Sequence, residues 1–176
     1  MPGIEKVIKP TTRLTADAIG KPGSRVFYLH GESPSDSATL LIEKIQLQNL
    51  AMGVIEIVQE IDERNPELSR ADGTFYEERM HLEPPLDPLF RVAELNVAYE
   101  LETDFVILTA TEIAFDDPGN EPLSTVQFWT TRSIVLQLAN WIVELASRGR
   151  PICPQCGQPY EPGNHFCPKK NGHKKH

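Results

Sequence analysis

Cysteine is missing from the first 152 residues of this 176-residue chain. The only three cysteines fall between residues 153 and 167. A secreted disulfide framework needs an even count spread through the fold, so that class is excluded. Long apolar runs are missing too, since none reaches the roughly 18–20 residues of a membrane-spanning helix. The best stretch, Ile134 to Ala146, is broken by Gln137, Asn140 and Glu144. The opening MPGIEKVIKP has no apolar segment of the signal-peptide type, which makes the cytoplasm the expected compartment. Basic residues are scarce in the body, with 13 Lys+Arg against 24 Asp+Glu in residues 1–150. Such an acidic surface repels a polyanion and disfavours broad nucleic-acid binding. There is no glycine-rich phosphate loop, and Ser24, Ser35 and Ser37 lie outside any nucleophile-elbow pattern. Asp116, Asp117, Asn120 and Glu121 offer oxygens without the regular spacing of a calcium loop, and read as a solvated acidic turn.

What is present is an ordinary globular balance of 40% hydrophobic and 24% charged residues, enough for one domain with a small appendage. Residues 13–20 suit an extended segment. After the turn signal Lys21-Pro22-Gly23-Ser24, Arg25 to Glu32 has the β-branched and aromatic content of a strand. Thr39 to Ile45 reads as a third strand. The period then changes: Leu47, Leu50, Ala51, Val54, Ile55, Val58 and Ile61 form one apolar helical stripe, predicting a helix near 47–63 that Asn65-Pro66 ends. Residues 65–89, with Asp72-Gly73 and Pro84-Pro85, read as an acidic linker. Strands resume at Phe90. Leu95, Val97 and Tyr99 alternate with polar residues, as in a half-buried strand. Phe105 to Ala114 is apolar on both faces and reads as central, and Thr125 to Thr130 follows. Ile134, Leu138, Trp141, Ile142 and Leu145 make a second stripe, predicting a helix near 132–148. Gly149 and Pro151 stop it.

The order strand-strand-strand-helix therefore occurs twice, and a shift of 87 residues lays Leu47 on Ile134 and Val58 on Leu145. Identity between the copies is negligible. Either a duplicated β-β-β-α unit or two unrelated amphipathic helices accounts for the match. Both give an α+β domain over residues 1–150, mostly antiparallel sheet with two covering helices. Residues 151–176 form a separate, zinc-knuckle-like tail.

That tail carries the most specific motif: Cys153-Pro-Gln-Cys156-Gly157, then His165-Phe-Cys167-Pro168. Zinc takes four tetrahedral thiolate or imidazole ligands, and a C-x2-C turn lets two sulfurs face one ion. Gly157 permits the tight turn, and Gly163-Asn164 supplies the return. Cys153, Cys156, His165 and Cys167 then close the coordination shell, which implies a structural ion. His173 is a rival fourth ligand. Two other readings of the cysteines stay open: a redox dithiol, which normally opens a helix after a strand, and no role at all. His30 and His81 show no partner in the sequence and read as structural or exposed. Lys169, Lys170, Lys174 and Lys175, with His173 and His176, make the tail basic and read as a solvated terminus.

The stretch from Arg13 through Gly20, Gly23, Arg25 and Phe27 to Leu29 resembles the opening of domain-of-unknown-function family 3090, a bacterial family known mainly from actinobacteria. So do Phe90-Arg91-Val92, the Gly149-Arg150-Pro151 junction, and the ending from Cys153 to Asn171-Gly172. The resemblance favours His165 over His173 as ligand and implies no established activity. The acidic stretch 59–83 departs from the family pattern.

With no convergent nucleophile, base and oxyanion donor legible, the functional expectation is a zinc-binding, non-catalytic binding or adaptor protein with a protein partner. One alternative is an enzyme acting on a small or phosphorylated molecule through Arg25, His30 or Glu43. Another is nucleic-acid contact through the tail lysines.

Overall fold

The structure, a computed structural model, describes residues 3–114 and 122–169. Its strands are β1 (Glu5–Ile8), β2 (Arg13–Ile19), β3 (Val26–Glu32), β4 (Ser37–Ile42), β5 (Val92–Glu100), β6 (Phe105–Glu112) and β7 (Thr125–Thr131). Two helices follow the two strand triplets, α1 (Lys44–Arg64) after β4 and α2 (Arg132–Ser147) after β7. The class is α+β, as expected. Antiparallel pairing dominates: β2-β3-β4 is one meander, and β5-β6-β7 is the other. Each meander leads into its helix, so the repeated order exists as architecture. Among the described residues no helix is long and apolar enough to cross a membrane.

The alternating burial of β6 shows why it sits inside its sheet. Val106, Leu108 and Ala110 are fully buried on one face, while Phe105, Ile107 and Thr109 are half-buried on the other. Strand β7 supplies Val126, Phe128 and Thr130 to the same core. The two sheets approach closely where β3 crosses Phe128: a Cβ added at Gly31 would lie 2.4 Å from the Phe128 ring. Only a residue without a side chain leaves room for that ring.

Two departures from the sequence expectation concern strand ends. Residues 5–8 form a strand that pairs in parallel with β7, Glu5 opposite Thr125 and Ile8 opposite Phe128. Four residues with one fully buried side chain are too few to announce themselves by period. The third predicted strand also ends early, at Ile42, because α1 begins at Lys44. Gln46 decides this. Its Oε1 accepts the Glu43 N–H at 2.9 Å in the reciprocal arrangement of a capping box. Its Nε2 donates to the carbonyls of Val92 and Ala93, both at 3.1 Å, where the β5–β6 register is irregular.

The halves interlock. Helix α1 lies against α2 and touches β5, and α2 lies along β2 as well as β6 and β7. Each helix thus contacts the first strand of the other meander. Trp141 of α2 is fully buried, and its indole N–H donates to the Ala16 carbonyl of β2 at 2.6 Å. The chain just before β5 also pairs with β4: Leu41 N–H donates to the Phe90 carbonyl, and Leu41 bridges Arg91 in parallel. This mirrors β1 on β7.

Residues 65–89 carry one short 3-10 turn, Glu77–Arg79, and are tied down along their length. The Asp72 N–H donates to Ser133 Oγ, and the Asn140 amide donates to the Gly73 carbonyl. The Phe75 and His81 rings meet Trp141 edge-on, at 5.5 and 5.3 Å. Leu82 N–H donates to Asp17 Oδ2, and Arg13 donates to the carbonyls of Arg79 and His81. The stretch is a strap laid over α2 and β2.

A second knot joins the two halves. Arg132, at the start of α2, donates to Asp62 of α1 and, from Nε, to Asp104 Oδ1 at 2.7 Å. Asp104 sits in the β5–β6 turn at φ 55°, a left-handed conformation that Asp tolerates better than most residues.

Candidate metal centre

Helix α2 stops at Ser147, and the chain leaves it through Gly149-Arg150-Pro151. Proline at 151 carries no amide hydrogen, so the helix cannot resume there. The chain then makes a small two-sided loop: Ile152 bridges Pro159, and the Tyr160 N–H donates to the Pro151 carbonyl at 2.9 Å. Within it, the Cys153 N–H donates to the Gln158 carbonyl and the Gly157 N–H donates to the Cys153 carbonyl. Gly157 holds φ at 72°, where a side chain would be strained. Gly163, at φ 88°, makes the second reversal, with the Asn164 N–H donating to the Glu161 carbonyl.

These two turns bring four ligand atoms to one place. One atom each of Cys153, Cys156, His165 and Cys167 lies within 4.8 Å of all the others. Cys153 Sγ is 3.8 Å from Cys167 Sγ, and Cys156 Sγ is 3.5 Å from His165 Nε2. Cys153 and Cys167 are buried, and Cys156 and His165 are partly buried. None of the three cysteines is in a disulfide. The Tyr160 ring packs against the His165 ring, centroids 4.8 Å apart and planes tilted by 38°. The side-chain amide of Gln155 closes one side, 3.8 Å from Cys167 Sγ.

The electrostatics favour thiolate at Cys153. The backbone amide of Cys156, then that of Gln155, donates to Cys153 Sγ and holds that thiol down at about 6. At Cys156 the Gln158 amide pulls the same way. Burial and hydrogen bonding with the Cys153 and Cys167 sulfurs outweigh it and push that thiol up. Sulfurs crowded this closely cannot all ionise without a cation between them. Three thiolates and an imidazole are the donor set of a closed metal site, so the four residues are positioned to bind a metal ion. Among the described residues no second group of this kind forms.

Among the described residues the other sequence candidates form no ligand cluster, although His30 and His81 line one groove with Arg13. His30 sits on β3, with Nδ1 2.8 Å from Thr39 Oγ1 and Nε2 3.1 Å from Glu32. Arg91 pairs with Glu43 at 2.6 Å, and Arg25 lies over the Phe27 ring. His81 bonds Asp17 and Glu77, both at 3.3 Å. Ser24 Oγ donates back to the Lys21 carbonyl within its turn. Asp116, Asp117, Asn120 and Glu121 lie outside the described residues, as do Lys170, His173, Lys174, Lys175 and His176. Sequence reasoning missed Tyr160 and Gln155 as supports of the site. An aromatic residue five positions before His165 was the available signal for the first.

No curated protein and no solved structure matches the chain. Residues 7–167, from within β1 to the last cysteine of the cluster, match the family model described as "Protein of unknown function (DUF3090)", and the chain belongs to that family.

Proposed function

We propose that the chain is a non-catalytic, cytoplasmic binding protein whose C-terminal loop is ordered by one structural zinc ion. The observation that carries this is the mutual approach of four ligand atoms to within 4.8 Å. A tetrahedral zinc with bonds of about 2.3 Å to sulfur and about 2.0–2.1 Å to nitrogen has S···S edges of about 3.8 Å and S···N edges of about 3.6 Å. The Cys153–Cys167 and Cys156–His165 separations, 3.8 and 3.5 Å, match those edges. With four protein ligands no position is left for substrate, which supports a structural role.

The loop has almost no core of its own. Ile152 and Phe166 are 66% and 78% exposed beside the site, so metal binding supplies the folding energy that burial does not. These two side chains are the surface offered to a protein partner. Unpaired thiolate ligands suit a reducing compartment.

Elemental analysis of untagged protein, purified under reducing conditions, is expected to give about one zinc per chain, the stoichiometry of one four-ligand site. Cys153→Ser/Cys156→Ser protein that keeps its full zinc content would sink the proposal. The partner is tested by capture from the native host with the wild type and Phe166→Ser in parallel. A protein recovered equally by both does not use this surface.

A further inference from the structure

A groove lies beside the metal loop. It encloses about 690 Å³, within the range of small-molecule sites. Its floor and walls come from four places: the β2–β3 turn, the start of α1, the end of α2, and the loop through Ile152 and Pro159. Three cations line it, Arg25, Lys44 and Arg150, and not one carboxylate does. None of the three is in an ion pair among the described residues. That is unusual on a body with 13 Lys+Arg and 24 Asp+Glu, where a random groove would hold acids.

Two glycines make the convergence possible. The position a Cβ of Gly149 would occupy is 2.9 Å from Lys44 Nζ and 3.6 Å from an Arg25 guanidinium nitrogen. Those two cationic groups are therefore no more than about 6.5 Å apart, the two distances laid end to end. The Gly23 position is 3.0 Å from Arg150 Nε, and its φ of +93° holds the turn that Arg150 lies against. Like charges brought this close repel, and an anion between them removes the repulsion.

We propose that this groove binds the phosphate group of a small phosphorylated molecule. Planar guanidinium forks and a lysine ammonium are the side chains that recognise phosphate oxygens. The cations are confined to one concavity, so a nucleic-acid strand would have to lay its further phosphates over an acidic body, at an electrostatic cost. The groove offers no imidazole, thiol or carboxylate, and the Ser147 hydroxyl donates to the Glu144 carbonyl. It has the means to hold a phosphate. This site goes beyond the zinc reading and does not depend on which metal orders the loop.

The test is calorimetric titration of the full chain, metal content measured alongside, with inorganic pyrophosphate as probe. One equivalent is expected to bind, more weakly as salt is raised. Lys44→Gln and Arg150→Gln are each expected to weaken binding about tenfold or more, the loss of one charge-assisted contact. Both variants keep the wild-type metal content, which separates failure here from failure of the metal site. Arg64→Gln, an exposed cation on the far end of α1, is expected to bind as wild type does. No pyrophosphate binding, or binding untouched by Lys44→Gln and Arg150→Gln, would overturn the proposal. So would tighter binding of a single-stranded oligonucleotide, or of vesicles containing phosphatidic acid, lost with the same substitutions.

Discussion

Replacing Arg132 by methionine tests how the two halves are joined. The Arg132 side chain is 6% exposed, and that of its partner Asp62 is 8% exposed. Removing the guanidinium strands the Asp62 carboxylate, leaving it only the Ala71 N–H at 3.1 Å. Breaking a buried pair on one side costs about 3–5 kcal/mol. The Asp104 arm adds less, because that side chain is 37% exposed and keeps the Tyr99 hydroxyl at 2.8 Å. The expectation is therefore about 3 kcal/mol, near the low end. For a domain of this size that is a fall in Tm of roughly 6–12 °C. Urea unfolding followed by circular dichroism reads it directly. The double variant Arg132→Met/Asp62→Asn is expected to recover part of the loss, since no charge is left stranded.

Acid adds an independent check on the same knot. The Arg132 guanidinium, then the Tyr99 hydroxyl, holds the Asp104 carboxyl below its usual range against the opposing effect of burial. The unfolded chain takes up that proton near pH 4, and the folded chain only at lower pH. Between the two the unfolded state holds more protons, so the stabilisation is present at neutral pH and is lost as pH falls through that window. Arg132→Met is expected to flatten this limb. A variant within about 1 kcal/mol of wild type at pH 7, where a broken buried pair should cost about 3, would refute the reasoning.

Two further outcomes follow from particular contacts. Gly31→Ala places a Cβ 2.4 Å from the Phe128 ring, so it is expected to lower the urea midpoint by an amount equivalent to about 1–3 kcal/mol; an unchanged midpoint would mean the sheets part easily. Glu77 is gripped by Arg148 and, secondarily, by His81, and titrates at about 2. A carboxyl-detected NMR titration should find it there in the wild type and raised toward about 4.3 in Arg148→Gln, where His81 still holds it, and a Glu77 that titrates normally in the wild type would deny the ion pair.

Both helices and the central strand were readable because their cause is local. The stripe Ile134-Leu138-Trp141-Ile142-Leu145 runs over about three turns, and all of it but the half-buried Ile134 is buried as the period requires. The metal cluster was readable for the same reason, since its four ligands fall within fifteen residues and need only two glycine turns. Strand β1 was not, because its reason to exist is β7, about 120 positions away. The strap was hidden in a different manner. Asp72-Gly73 reads as a turn, but Gly73 is needed because the Asn140 amide would lie 2.3 Å from any Cβ there. Sequence spacing carries no signal of a helix passing overhead. The cationic groove was invisible likewise: Arg25, Lys44 and Arg150 come from three distant segments and meet only after the halves dock.

Consider the interlocked halves from the standpoint of synthesis. The ribosome releases β1, the β2-β3-β4 meander and α1 long before their partners in the second half exist. Strand β1 waits for β7, β2 waits for α2, and α1 waits for both β5 and α2. The first half therefore emerges with the apolar stripe of α1 and a parallel-pairing edge both uncovered, and each is satisfied only by segments of the second half. Folding of this protein is bound to be a late event, completed near the end of translation, and the nascent first half is the form most in need of a chaperone.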